Sequence, residues 1–95
     1  MATYIILSKQ SQDSSNGPEN FRKIADEVSE RIKTECPDVK WKDSYATIGP
    51  YDVVDVVEAT APSQVAKAAM IIRKESNSMT TTMTASPWKE FLDEF

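Results

Sequence analysis

The chain has no histidine, one cysteine and two glycines among its 95 residues. Each shortage closes off some chemistry. Without histidine, the commonest general base near neutral pH and the commonest metal ligand are both missing. A lone cysteine, Cys36, can complete neither a zinc site nor an internal disulfide, and its place just before Pro37 reads as a small, partly buried helix-end residue. No metal and no cofactor is expected. Two glycines, Gly17 and Gly49, exclude the Gly-rich loops that cradle phosphates, and no nucleophile elbow occurs. Long apolar runs are also absent. The apolar stretch at 4–7 is too short for a signal peptide or a membrane span, so a cytoplasmic protein with no membrane partner is expected. Positive charge is scarce as well. Eleven Lys and Arg stand against fifteen Asp and Glu, a net charge of −4, with no dense basic block. That balance speaks against a broad attraction to nucleic acid.

What remains is one domain, 1–95, of patterned elements. "TYIILS", 3–8, is β-rich and apolar on both alternating faces, as in a central strand. Residues 8–20 are polar, carry Gly17-Pro18 and read as a loop, with Asn16 or Asn20 able to cap the helix after it. In 21–36, Phe21, Ile24, Ala25, Val28 and Ile32 share one helical stripe, with Glu27 and Arg31 paired outside. Residues 38–48 alternate: Val39, Trp41, Asp43, Tyr45 and Thr47 on one face, Lys40, Lys42, Ser44, Ala46 and Ile48 on the other. Gly49-Pro50 turns the chain, and "DVVDVVEA", 52–59, is a second strand apolar on both faces. A second helix comes next, with Thr60 or Ser63 near its start, Pro62 in its first turn and Val65, Ala68, Ala69 and Ile72 buried. The Thr-rich stretch 77–85 is a fourth strand. "SPWKEFLDEF" closes the chain as a short helix capped by Ser86, packing Trp88, Phe91, Leu92 and Phe95 back on the body.

The order βαββαβ plus a short C-terminal helix predicts an α+β, ferredoxin-like domain. It has a four-stranded antiparallel sheet with two helices on one face. Strands one and three would be central, and their second apolar face would lie uncovered. A second copy placed sheet to sheet is the simplest remedy, so a homodimer, or a higher oligomer of dimers, is expected.

"TYIILSK", 3–9, and "YATIGPYDVVDVVEA", 45–59, resemble the GYD-domain proteins, as do the Ala-rich helix around Ala66, Ala68 and Ala69 and the threonines at 80–82. The resemblance covers nearly the whole chain. It implies a ferredoxin-like fold of the dimeric α/β-barrel kind and supplies no activity. Pro50 and Asp55 depart from the family's usual string.

Six residues are candidates for a ligand site: Tyr4, Trp41, Tyr45, Tyr51, Asp52 and Asp55. Tyr51 and Asp52 could be a phenol–carboxylate pair. The plainer reading is turn chemistry, with Asp52 bonding backbone N–H groups of the turn. Asp55 interrupts a valine-rich strand, where an unpaired carboxylate is costly. It meets a cation or tyrosine across an interface, or lines a pocket. Glu58 has the opposite strand parity, so the two carboxylates cannot form a dyad. Tyr4, Trp41 and Tyr45 either line a cleft or pack the core. No catalytic residue is identifiable. The function these features favour is an oligomeric module that binds a small, fairly apolar molecule or regulates. The alternatives are a cofactorless oxygenase or isomerase of the dimeric α/β-barrel type, resting on fold analogy alone, and a purely structural oligomer.

Overall fold

The computed structural model describes residues 1–11 and 18–95. Seven elements succeed one another: β1 (Ala2–Gln10), α1 (Pro18–Glu35), β2 (Lys40–Ala46), β3 (Val53–Ala59), α2 (Pro62–Ser76), β4 (Ser78–Ala85) and α3 (Trp88–Leu92). The strands form one four-stranded sheet in the order β2-β3-β1-β4, every pair antiparallel. This is the ferredoxin-like βαββαβ arrangement, with the all-apolar strands β1 and β3 at its centre as their patterning requires. β1 runs two residues beyond the 3–8 stretch. Lys9 and Gln10 stay in the ladder opposite Met79 and Ser78 of β4, and the Gln10 N–H also donates to Asp52 Oδ2 at 2.7 Å. α1 begins at Pro18 and contains Asn20, so Asn20 is not its cap; Asn16 lies outside the described residues.

The core lies between the sheet and α2, closed at one end by α1. Tyr4, Ile6, Val57 and Ala59 of the sheet meet Val65, Ala68, Ile71 and Ile72 of α2, with Ile32 and Cys36 completing the cluster. Alanines at 68 and 69 let the backbone of α2 approach the sheet. Among the described residues no helix lies on the opposite sheet face. There Ile5 and Leu7 of β1 and Val54 and Val56 of β3 are half-buried only by their neighbours in the sheet.

Several local details differ from the sequence pattern. β2 carries a β-bulge: Trp41 pairs with Val57 and Asp43 with the adjacent Val56, leaving Lys42 as the extra residue. Side-chain parity therefore flips at Lys42. Trp41 joins Ser44 and Ala46 on the helix-facing side, while Asp43 and Tyr45 fall on the open side. Arg31 does not pair with Glu27. It bonds Glu35, one turn further along α1, at 2.6 Å and Glu75 of α2, which runs alongside, at 2.8 Å. α2 starts at Pro62, close to Thr60 and Ser63, with Ala61 as its N-cap; that of α3 is Pro87 rather than Ser86, and neither makes a side-chain cap bond. α3 does not fold back. Trp88, Phe91, Leu92 and Phe95 are all exposed, touching one another through Trp88–Phe91 and Phe91–Phe95 ring contacts. Pro87, extended at ψ 136°, points five helical residues away from a body whose core is already filled by α2.

The start of α2 is held from outside. Asp38, just before β2, accepts the Thr60 hydroxyl at 2.6 Å and the Thr60 and Ala61 N–H groups at 2.9 and 2.8 Å. The Thr60 hydroxyl, then the Ala61 N–H, holds this carboxyl below its ordinary 3.8. A carboxyl depressed in the folded state stabilises above its unfolded pKa, and the benefit is lost as pH falls through the folded value. Asp38→Asn is therefore expected to be less stable than the wild type at pH 7, with the gap closing below about pH 4. Urea unfolding of both proteins at pH 7 and at pH 3 measures this; a gap unchanged by pH would contradict it.

Candidate functional site

α1 is amphipathic, yet its apolar stripe is not spent on the sheet. Its backbone runs close along α2 and approaches none of the strands, whereas the backbone of α2 approaches β1, β3 and β4. Of the stripe, only Ile32 is fully buried; Ile24 and Val28 are half-buried and Phe21 is 51 % exposed. The space left between α1 and the sheet is a cleft of about 850 Å³, within the range of small-molecule sites. Its roof is the α1 stripe. Its floor is the helix-facing side of β1, β2 and β3, including Ser8, Trp41, Ser44, Val53 and Asp55.

Asp55 is the polar centre of that floor. Only 6 % of it is exposed, and its Oδ1 accepts two donors, the Ser44 hydroxyl at 2.6 Å and the Trp41 indole N–H at 3.1 Å. The same indole N–H lies 2.9 Å from the Ser44 oxygen. Ser44 sits directly opposite Asp55 in the β2–β3 ladder. The bulge is what adds Trp41: were Lys42 paired in regular alternation, the indole would leave on the other face. Among the described residues no cation pairs with Asp55 and no donor reaches Oδ2. Ser8 is the second unusual group. It is 4 % exposed, lines the cleft, and its hydroxyl oxygen has no hydrogen-bond partner.

The six residues singled out by sequence separate into three places. Trp41, Asp52 and Asp55 line the cleft. Tyr4 is on the same side of the sheet but is buried in the core and borders a different groove, between α2 and β4. Tyr45 is 56 % exposed on the open face, so it does not join Trp41 and Tyr4 in one aromatic set. Tyr51 and Asp52 do not work as a pair. The Tyr51 carbonyl accepts the Thr47 hydroxyl at 2.7 Å across the hairpin, and Asp52 reaches away to the Gln10 N–H of β1, not to the turn. The turn itself rests on Gly49, whose φ of +141° disfavours any residue with a Cβ. Sequence reasoning missed Ser8 and Ser44. Ser44 could have been found as the strand neighbour of Asp55; for Ser8 the only signal was a hydroxyl at the end of an apolar strand. Cys36 is fully buried, which pushes its thiol pKa up and makes it a poor nucleophile. Among the described residues no group of His, Cys, Asp and Glu could hold a metal ion, and no helix is long and apolar enough to cross a membrane.

These features define a small ferredoxin-like domain with a helix–sheet cleft and a buried carboxylate at its floor. By sequence the chain belongs to the GYD domain family, which it matches over residues 4–93. It is 31 % identical over 91 residues to the glutamine synthetase and cystathionine beta-lyase binding protein of Thermus thermophilus, covering 92 % of this chain and 90 % of that one. Among solved structures it is similar to the leucine response regulatory protein of Mycobacterium tuberculosis, with a TM-score of 0.62 at 14 % identity over 90 % of this chain. The chain spans about half, 51 %, of that regulator's length, and the likeness is one of fold. It is also similar to FFRP-DM1, with a TM-score of 0.55, 28 % identity, and coverage of 90 % of this chain and 100 % of that one.

Proposed function

We propose that this protein is a small binding or regulatory module that works as a homodimer, or a higher oligomer of dimers, and holds a small, fairly apolar molecule in the cleft beneath α1. The observation that carries the reading is the cleft itself, about 850 Å³ of space roofed by an unspent apolar stripe and floored by a buried carboxylate. A relative whose name gives it two enzymes as binding partners, and a fold shared with a regulator, support a role in control rather than in turnover. No geometry favours the enzyme alternative. Asp55 is engaged by Trp41 and Ser44, and no second acid or base faces it among the described residues of the cleft floor except Asp52, which holds the Gln10 N–H.

A thermal-shift screen of small metabolites, with native mass spectrometry of the hits, tests the reading. At least one compound is expected to raise the melting temperature in a concentration-dependent way, as a ligand of the folded state alone must. Absence of any shift across a chemically broad set would remove it.

A further inference from the structure

We infer that the ligand of the cleft is an organic monocation: a primary ammonium, or a similarly donor-rich cationic head, carried on an apolar body. This deepens the small-molecule reading above and rests on it. The floor shows what is missing from it. Asp55 is an acceptor with Oδ1 doubly engaged and Oδ2 without a donor, and the Ser8 hydroxyl is buried with no partner. A buried polar group left unpaired is costly, so the Ser8 hydroxyl calls for a partner; Asp55 Oδ2, not fully buried, keeps a free acceptor position on a residue that lines the cleft.

The two groups are neighbours. Ser8 pairs with Val53 across the β1–β3 ladder, and Asp55 lies two residues further along on the same face. Diagonal residues of this kind have Cα atoms about 7–8 Å apart, close enough for one bound group to touch both side chains. That group must give protons to a carboxylate and to a hydroxyl oxygen. An ammonium offers three donors and no acceptor; a carboxylate or phosphate offers none and would repel Asp55.

The charge of the lining agrees. Among the described residues of the lining, two carboxylates, Asp52 and Asp55, face one ammonium, Lys33, one negative charge in excess. One positive charge on the ligand balances it. The other walls are mostly hydrocarbon, among them Ile24, Val28, Ile32 and Val39, with neutral Ser and Gln side chains between them. The ligand's charge therefore belongs at one end.

The probes are 2-phenylethylamine, 2-phenylethanol and 3-phenylpropionate, titrated into the full-length protein by isothermal calorimetry at pH 7. The amine is expected to bind about tenfold or more tighter than the alcohol, the usual margin for a charge-assisted hydrogen bond, and the acid not to bind. Asp55→Asn keeps an oxygen for Trp41 and Ser44, and is expected to lose that tenfold preference. Ser8→Ala deletes an unpartnered hydroxyl, so it is expected to fold at least as well as the wild type and bind the amine several-fold more weakly. If Asp55→Asn fails to fold, Ser8→Ala still decides. Alcohol or acid binding as tightly as the amine would overturn the cationic ligand while leaving the small-molecule reading intact. No binding by any of the three would overturn the cationic ligand too, and the metabolite screen then judges the broader reading independently.

Discussion

Replacing Ile6 with alanine is expected to lower the unfolding free energy by about 2–5 kcal/mol. Ile6 is fully buried in the middle of β1, between Asp55 of β3 and Thr82 of β4 and beneath α2. Removing three carbons there opens a void that the sheet cannot close, since both neighbouring strands are fixed by their own ladders. For a domain of this size, each kcal/mol moves the melting temperature by about 4–8 °C, so a fall of about 10 °C or more is expected by circular dichroism. Ile24→Ala is the informative partner. Its side chain already borders the open cleft, so it leaves no new void and is expected to cost well under half as much. Equal losses at the two positions would mean that α1 is packed as tightly as α2, contrary to the cleft.

The second large effect concerns the open face of the sheet. Leu7→Glu is expected to convert the protein to a folded monomer, weakening self-association by about a hundredfold or more, because a carboxylate would be buried unpaired against the partner sheet. Leu7 lies opposite Val54 and Thr81, in line with Tyr45, in the middle of that face. Four strands about 4.8 Å apart and about seven residues long present roughly 450 Å² in plan. A stable interface needs about 800 Å² from each partner. α3, which follows β4, has further exposed apolar surface to offer in Trp88, Phe91 and Phe95. Phe91→Ala is accordingly expected to weaken the dimer while leaving the monomer's fold intact. Sedimentation equilibrium at tens of micromolar checks both. A wild type that sediments as a monomer, or a Leu7→Glu variant that still dimerises, would dismiss the sheet-to-sheet interface.

Most of the fold could be read from the chain because it is written in periodicity. The double apolarity of 4–7 and 53–57 places β1 and β3 at the centre of the sheet, and the stripes of the two helices identify their inner sides. Three things escaped. The bulge at Lys42 has no composition signal; it shows only in the pairing of Trp41 and Asp43 with adjacent valines. An amphipathic stripe says which side of α1 is apolar, not how far from the sheet it rests, so the cleft was invisible. The same limit applies to α3, whose aromatic residues read equally well as packing on the body or as waiting for another surface. Asp55 was legible as an anomaly, a carboxylate among valines, but its partners were not. Ser44 comes from the strand opposite and Trp41 arrives only through the bulge.

That bulge, rather than the composition of β2, decides which surface the indole serves. Strict alternation through Lys42 would put Trp41 on the side of Asp43 and Tyr45, out of the cleft; with Lys42 left out of the ladder, Trp41 and Asp43 pair with consecutive residues of β3 and Trp41 stays in the cleft. One residue left out of the ladder thus separates a cleft-facing tryptophan from one on the open face, with no change of residue. Across position 42, counting residues matters more than matching them.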